Sequence, residues 1–185
     1  MKVRHLIMML LLASEDNKIS TKTKIQKEMY FLSLLLQEEM SFRAHYYGPF
    51  SSEVEEGLDE LVGVGFVNER RETLGVDNNL GFEIIRYEFS LTNEGKKFAE
   101  TLKSNNPRIY EKIKDFTEKL KNIGDPNYMD LSIAAKAYFI LHKNQAPMTP
   151  EQIDQEAKKF GWEIKKDNIH KAIEILKELG FVKDK

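Results

Sequence analysis

The chain has 185 residues, 41% of them hydrophobic, and a formal net charge of −2. That is enough for one large or two small domains, and the balanced charge leaves no overall electrostatic footprint for nucleic acid; the portion up to Gly124 holds 18 Lys+Arg against 20 Asp+Glu and the remainder 10 against 10. The absence of cysteine excludes disulfides, thiol catalysis and cysteine-ligated metal sites, and the four scattered histidines (His5, His45, His142, His170) have no metal-type spacing, so neither metal nor cofactor is expected.

Lys2 and Arg4 precede the apolar run Leu6–Ala13, which superficially resembles a signal peptide. The run is too short to cross a bilayer, which takes about 20 helical residues. It reads as a buried first helix, from Val3 to about Ser14, in a cytoplasmic protein with no membrane contact. Glu15-Asp16-Asn17-Lys18 is a polar turn. Ser20 or Thr21 caps a second helix, in which Ile25, Met29, Leu32 and Leu36 form one apolar stripe and which runs to about Glu38. Lys22, Lys24 and Lys27 lie on its first turns, the densest basic cluster of the first half. The plain reading is solvated lysines; the functional one is contact with phosphate or an acidic partner.

Gly48-Pro49 marks a turn, and Ser52 with Glu55 forms a capping box that should start a third helix. Val54, Leu58 and Leu61 face the core, while Gly63 and Gly65 tolerate positive φ past the helix end. The opposite face carries Glu53, Glu56, Asp59 and Glu60. A DNA-reading helix is basic there, so this face repels DNA. It is either a solvated face balanced by Arg70 and Arg71 or a docking surface for a basic protein. Strand-like runs at Gly65–Thr73 and Phe82–Phe89 flank a glycine- and asparagine-rich loop at Gly75–Gly81. Helix, helix, helix, hairpin is the winged-helix order.

A further helix runs from about Thr92 to Lys103, and Asn105-Asn106-Pro107 breaks it. Ile109, Ile113, Phe116 and Leu120 then mark a long amphipathic helix over 107–123, which either bridges two domains or pairs with a second copy of itself in a homodimer. Beyond Gly124-Asp125-Pro126, Leu131–His142 is an apolar helix. Thr149-Pro150-Glu151-Gln152 is a strong helix start. Asp167 or Asn168 caps the last helix, with Ile169, Ile173 and Leu176 as its stripe and Gly180 as its stop. Trp162 is expected as a packing anchor. The endings Leu61-Val62-Gly63-Val64-Gly65-Phe66-Val67 and Leu176-Lys177-Glu178-Leu179-Gly180-Phe181-Val182 are similar, by duplication or by local convergence. The expected fold is mainly α with a small β-hairpin: a winged helix-turn-helix domain over 1–104, a linking amphipathic helix over 105–124, and a C-terminal helical, winged-helix-like subdomain over 125–185.

Lys24-Ile25-Gln26-Lys27-Glu28-Met29-Tyr30, taken with Tyr47-Gly48-Pro49-Phe50-Ser51, resembles the YwgA-like and Panacea-type proteins of bacteria and archaea. The likeness covers most of residues 20–67. It implies a winged-helix-like core in a small non-enzymatic protein, with antitoxin or adaptor roles exercised on a partner protein in the Panacea-type members.

No catalytic constellation is present. Thr21-Lys22-Thr23 lacks the glycines of a phosphate loop, there is no nucleophile elbow or zinc-protease motif, and the carboxylate pairs Glu38-Glu39 and Glu55-Glu56 diverge on a helix. His45 with Tyr46 and Tyr47 either edges a pocket or packs a turn on the core. The expected function is therefore regulatory and non-enzymatic, through an unidentified protein partner at Glu53, Glu56, Asp59 and Glu60. The alternative is a dimeric DNA-binding regulator using Lys22, Lys24 and Lys27, or Asn168, His170 and Lys171 on the last helix.

Overall fold

The computed structural model describes residues 1–76, 83–164 and 166–183. In chain order the elements are α1 (Val3–Ala13), β1 (Lys18–Ser20), α2 (Lys22–Leu36), β2 (Arg43–His45), β3 (Gly48–Phe50), α3 (Ser52–Gly63), β4 (Val67–Val76), β5 (Glu83–Leu91), α4 (Asn93–Asn105), α5 (Pro107–Asn122), α6 (Tyr128–Asn144), α7 (Pro150–Lys158) and α8 (Lys166–Glu178). The fold is mainly helical, with two small antiparallel sheets. No described helix is long and apolar enough to cross a membrane.

Helix α1 is apolar on every side because it is enclosed on every side. Leu6 through Leu12 are all buried, and the helix packs against α3, α4 and α5. Helix α2 is the second core element, buried without interruption from Lys24 to Ser33 and packed on α6, β3 and α5. Thr21 caps it, its Oγ1 accepting from Lys24 N at 3.1 Å. The stripe of α5 is used within the chain: Ile113, Phe116 and Leu120 are buried as expected, Ile109 is only partly buried while its neighbour Tyr110 is buried, and the helix packs on α1 and α2. The face that suggested self-pairing over 107–123 is thus already covered. Buried residues of all three expected segments belong to one hydrophobic cluster.

The larger sheet has the order β1-β5-β4. The strand β1 was not expected from the sequence; it is only three residues long, and Ile19 pairs with Phe89 of β5, both buried. Strands β4 and β5 form a long antiparallel ribbon with a register shift between Thr73 and Gly75. From Asp77 to Gly81 the glycine- and asparagine-rich loop lies outside the described residues.

Three local expectations are corrected. The turn falls at Tyr46-Tyr47, not at Gly48-Pro49: β2 and β3 make a hairpin in which His45 pairs with Gly48, and Gly48 takes φ +100°. Helix α3 starts one residue early, with Ser51 as its cap position and Ser52 already helical, so the Ser52/Glu55 capping box does not form. Helix α8 begins at Lys166, ahead of both Asp167 and Asn168. The expected box at α7 does form, with Thr149 and Gln152 exchanging side-chain-to-backbone hydrogen bonds.

The two similar endings share one cap geometry. Phe66 N donates to Leu61 O at 3.0 Å and Phe181 N to Leu176 O at 2.8 Å, across glycines at φ +75° and +80°. This bond closes the last turn of a helix through a left-handed residue. The first ending leads into β4, whereas residues 181–183 form no strand.

Candidate functional site

The outward side of α3 is acidic, as expected, but its neutralising partners are not the expected ones. Glu60 accepts from Arg4 Nη1 at 2.6 Å, and Asp59 accepts from Lys22 Nζ at 2.8 Å. Arg71 instead bonds Glu69 at 2.8 Å, and Arg70 stands opposite Glu88 in the strand register. Glu53 and Glu56 are exposed and have no cationic partner among the described residues. The surface therefore reduces to two unpaired carboxylates beside two screened pairs. Exposed pairs of this kind contribute little to stability, which leaves these side chains free to exchange partners.

Lys22, Lys24 and Lys27 do not form one basic patch. Lys22 is held by Asp59, and that hydrogen bond raises its pKa. Lys24 is buried, with Nζ 2.7 Å from Asp125 Oδ1 and 3.9 Å from Glu28 Oε1. Lys27 is only 2% exposed, and its Nζ donates to Pro49 O at 2.6 Å. Burial, aided by the nearby Lys136 ammonium, lowers its pKa to about 7. The reason for the mismatch is that α2 is wrapped on nearly all sides, so polar residues on its expected outer face meet protein rather than water. On α8, Asn168 and His170 are exposed, while Lys171 Nζ bonds Glu174 at 3.0 Å and reaches Ile123 O at 3.3 Å.

The two motifs that are separate in sequence meet in space. Gln26 Nε2 donates to Ser51 O at 2.9 Å, and Ser51 N donates to Gln26 Oε1 at 3.0 Å. The side-chain amide thus pairs with the backbone where β3 becomes α3, which is why the helix needs no serine cap there. Lys27 fastens the neighbouring Pro49 carbonyl. Gly48 lies so close to α6 that a Cβ would sit 3.1 Å from Lys136 Cγ and 3.3 Å from Ser132 O. The motif residues accordingly form a joint between α2, β3 and α6. Buried polar groups must be paired, and this joint shows how several of them are; among the described residues, Ser51 Oγ and Glu28 Oε2 are the buried side-chain atoms left without a partner. Burial raises the Glu28 carboxyl to about 7, against the pull of Lys24.

Tyr46 and Tyr47 do not pack into the core as the turn reading expects; they are 73% and 40% exposed. His45 uses its backbone, its carbonyl accepting from the indole of buried Trp162 at 2.6 Å. The indole therefore anchors the segment between α7 and α8 to the hairpin, and Phe160 stacks on it with ring centroids 4.9 Å apart. Among the described residues no group of three or more His, Cys, Asp or Glu side chains is placed to hold a metal ion.

No family model matches the sequence. The chain is similar to the uncharacterized protein YwgA of Bacillus subtilis (strain 168), with 31% identity over 90 residues, or 47% of this chain. The match spans about half the length of that relative, 49%.

Proposed function

We propose that the chain is a non-enzymatic regulatory protein that binds another protein through the acidic face of α3, in an antitoxin- or adaptor-like manner. The framework of this reading is a winged-helix-like unit. The order α1, β1, α2, α3, β4, β5 with sheet order β1-β5-β4 fits such a unit, with the β2–β3 hairpin inserted where a simple helix-turn-helix has its turn. The observation that carries the partner assignment is that Glu53 and Glu56 on the third helix are exposed and have no cationic partner among the described residues. In a duplex reader that helix enters the major groove between two rows of phosphates, where these charges are repelled. A basic protein surface is attracted instead, and such attraction speeds encounter more than it adds affinity.

The test is affinity capture from the producing cells with the parent chain and with a Glu53→Lys/Glu56→Lys variant, identifying bound proteins by mass spectrometry. The reading expects a basic partner retained by the parent and lost by the variant. Partners that bind both forms equally sink it. Duplex DNA titrated in parallel tests the alternative, a DNA-binding regulator using the exposed Asn168 and His170 of α8: duplex binding that weakens steeply with salt, because several phosphates are contacted, favours that alternative.

A further inference from the structure

A groove of about 520 Å³ lies between the start of α2, the β4–β5 ribbon and the hairpin turn. Its walls include Lys22, Arg71 and Arg86 together with Tyr47, Tyr87 and Tyr128, and Glu69 is its one acidic side chain among the described residues. It is hidden in the sequence because the six residues come from five separate stretches. None of it overlaps Glu53 or Glu56.

The cations are not all spent. Arg71 shares itself between Glu69 and the ring of Tyr87, with its guanidinium carbon 5.5 Å from the ring centroid. Arg86 is exposed and has no carboxylate partner among the described residues. The N–H groups of Lys22 and Thr23, at the first turn of the 15-residue helix α2, have no acceptor among the described residues, because Thr21 Oγ1 is used on Lys24 N. They add the positive end of a helix to the same wall. Above this wall stand exposed rings. Tyr46 meets Tyr47 edge-on at 4.9 Å, and Tyr47 meets Tyr128 edge-on at 6.3 Å. Each edge-to-face contact sets the edge of one ring on a single face of its neighbour, so the two contacts cover at most two of the six faces of these three rings. Aromatic faces beside a cationic track are what stack unpaired bases while their phosphates are held.

We propose that this groove binds a nucleotide, either free or as a residue of a single strand, with Tyr47 and Tyr128 stacking the base and Arg71, Arg86 and the start of α2 holding phosphate. A duplex does not present its base faces, so this site is independent of the duplex-reading alternative. It is equally independent of the α3 reading above.

The experiment is fluorescence anisotropy with labelled mixed-sequence RNA and DNA single strands of about ten nucleotides, and isothermal titration calorimetry with a nucleoside triphosphate mixture. Four proteins are compared: the parent, Tyr47→Ala/Tyr128→Ala, Arg71→Ala/Arg86→Ala, and Glu53→Lys/Glu56→Lys. The altered tyrosines and arginines are exposed, and circular dichroism confirms that each variant is folded. The expected result is binding by the parent, weakened roughly tenfold or more by the tyrosine pair and by the arginine pair, in line with one lost stacking contact, and preserved in the Glu53/Glu56 variant. Binding of strands without mononucleotides assigns the ligand to a strand, and binding of mononucleotides assigns it to a free nucleotide. No binding to either probe at low salt overturns the proposal. So does binding that the tyrosine variant leaves intact, or that inorganic phosphate displaces as well as nucleotide does.

Discussion

The Gln26–Ser51 pairing yields a quantitative prediction. Gln26 is 5% exposed and Ser51 fully buried, and the two hydrogen bonds at 2.9 and 3.0 Å are the polar link between α2 and the start of α3. Gln26→Leu keeps most of the volume but strands the Ser51 N–H. A buried donor left unmade costs about 1–3 kcal/mol. The Ser51 carbonyl loses less, since Glu55 N still donates to it at 3.3 Å. The expected loss is therefore about 2–4 kcal/mol, read from urea unfolding followed by the fluorescence of Trp162, the single tryptophan. Gln26→Glu sharpens the test. A protonated carboxyl can both accept from Ser51 N and donate to Ser51 O, whereas a carboxylate has no proton for the carbonyl. Its folded pKa is thus raised above the unfolded one. Relative to the parent, Gln26→Glu is expected to be least destabilised below the ordinary carboxyl pKa and to lose stability as pH rises through the raised value. A Gln26→Leu loss within about 0.5 kcal/mol of zero, the range of neutral surface changes, refutes the reasoning, as does a Gln26→Glu penalty that ignores pH.

Two adjacent residues of α2 should tilt stability in opposite directions with pH. Glu28 titrates near 7 in the fold instead of 4.5, so its protonated form favours folding; that contribution is whole below pH 4.5 and is lost as pH rises through about 7. Lys27 titrates near 7 instead of 10.5, so its neutral form favours folding; that contribution is lost as pH falls from 10.5 through about 7. Urea midpoints of Glu28→Gln should therefore pull ahead of the parent between pH 5 and pH 8, by about 1–3 kcal/mol, and parallel profiles would show that Glu28 does not titrate as stated. Lys27→Met should flatten the rise between pH 7 and pH 10 in the same assay. At Gly95 an added Cβ would fall 2.0 Å from the Phe66 carbonyl oxygen, while at Gly63 it meets nothing within 4 Å. Gly95→Ala is expected to cost about 3 kcal/mol or more and Gly63→Ala to be neutral or stabilising by up to about 1 kcal/mol. Thermal melts of the two variants check this, and equal melting temperatures would contradict the close approach of α4 to Phe66.

The helices were legible because their signals are local. Thr21 and Thr149 cap where a threonine precedes a helical stripe, and Gly65 and Gly180 stop helices by taking the left-handed conformation. The apolar run in α1 announced its burial. What stayed hidden depends on contacts between distant segments. Strand β1 exists because β5 pairs with it, and three residues carry no alternation to read. The start of α3 moved because a side chain 25 positions away in sequence satisfies Ser51. The lysines of α2 sit at positions that look exposed on an isolated helix; α6 and the hairpin cover Lys27, and Asp125 covers Lys24. The same cause separates the three lysines, which the sequence offered either as solvated side chains or as an alternative phosphate contact. The acidic residues of α3 are on the surface as read, but only the folded chain reveals that Arg4 and Lys22 neutralise two of the four.

Helix α3 is held at both ends and along its inner side. Gln26 fixes Ser51, Gly57 lets the helix lie against the first turn of α1, and the Phe66 carbonyl accepts from Thr92 N at 3.0 Å just past the last turn. Whatever meets this helix therefore meets a surface whose backbone is already ordered. Association there gives up little conformational entropy on this side of the complex. The freedom still to be lost belongs to the side chains of Glu53 and Glu56 and to the incoming molecule. Affinity at α3 should consequently respond to the rigidity of the ligand more than to any loosening of the protein.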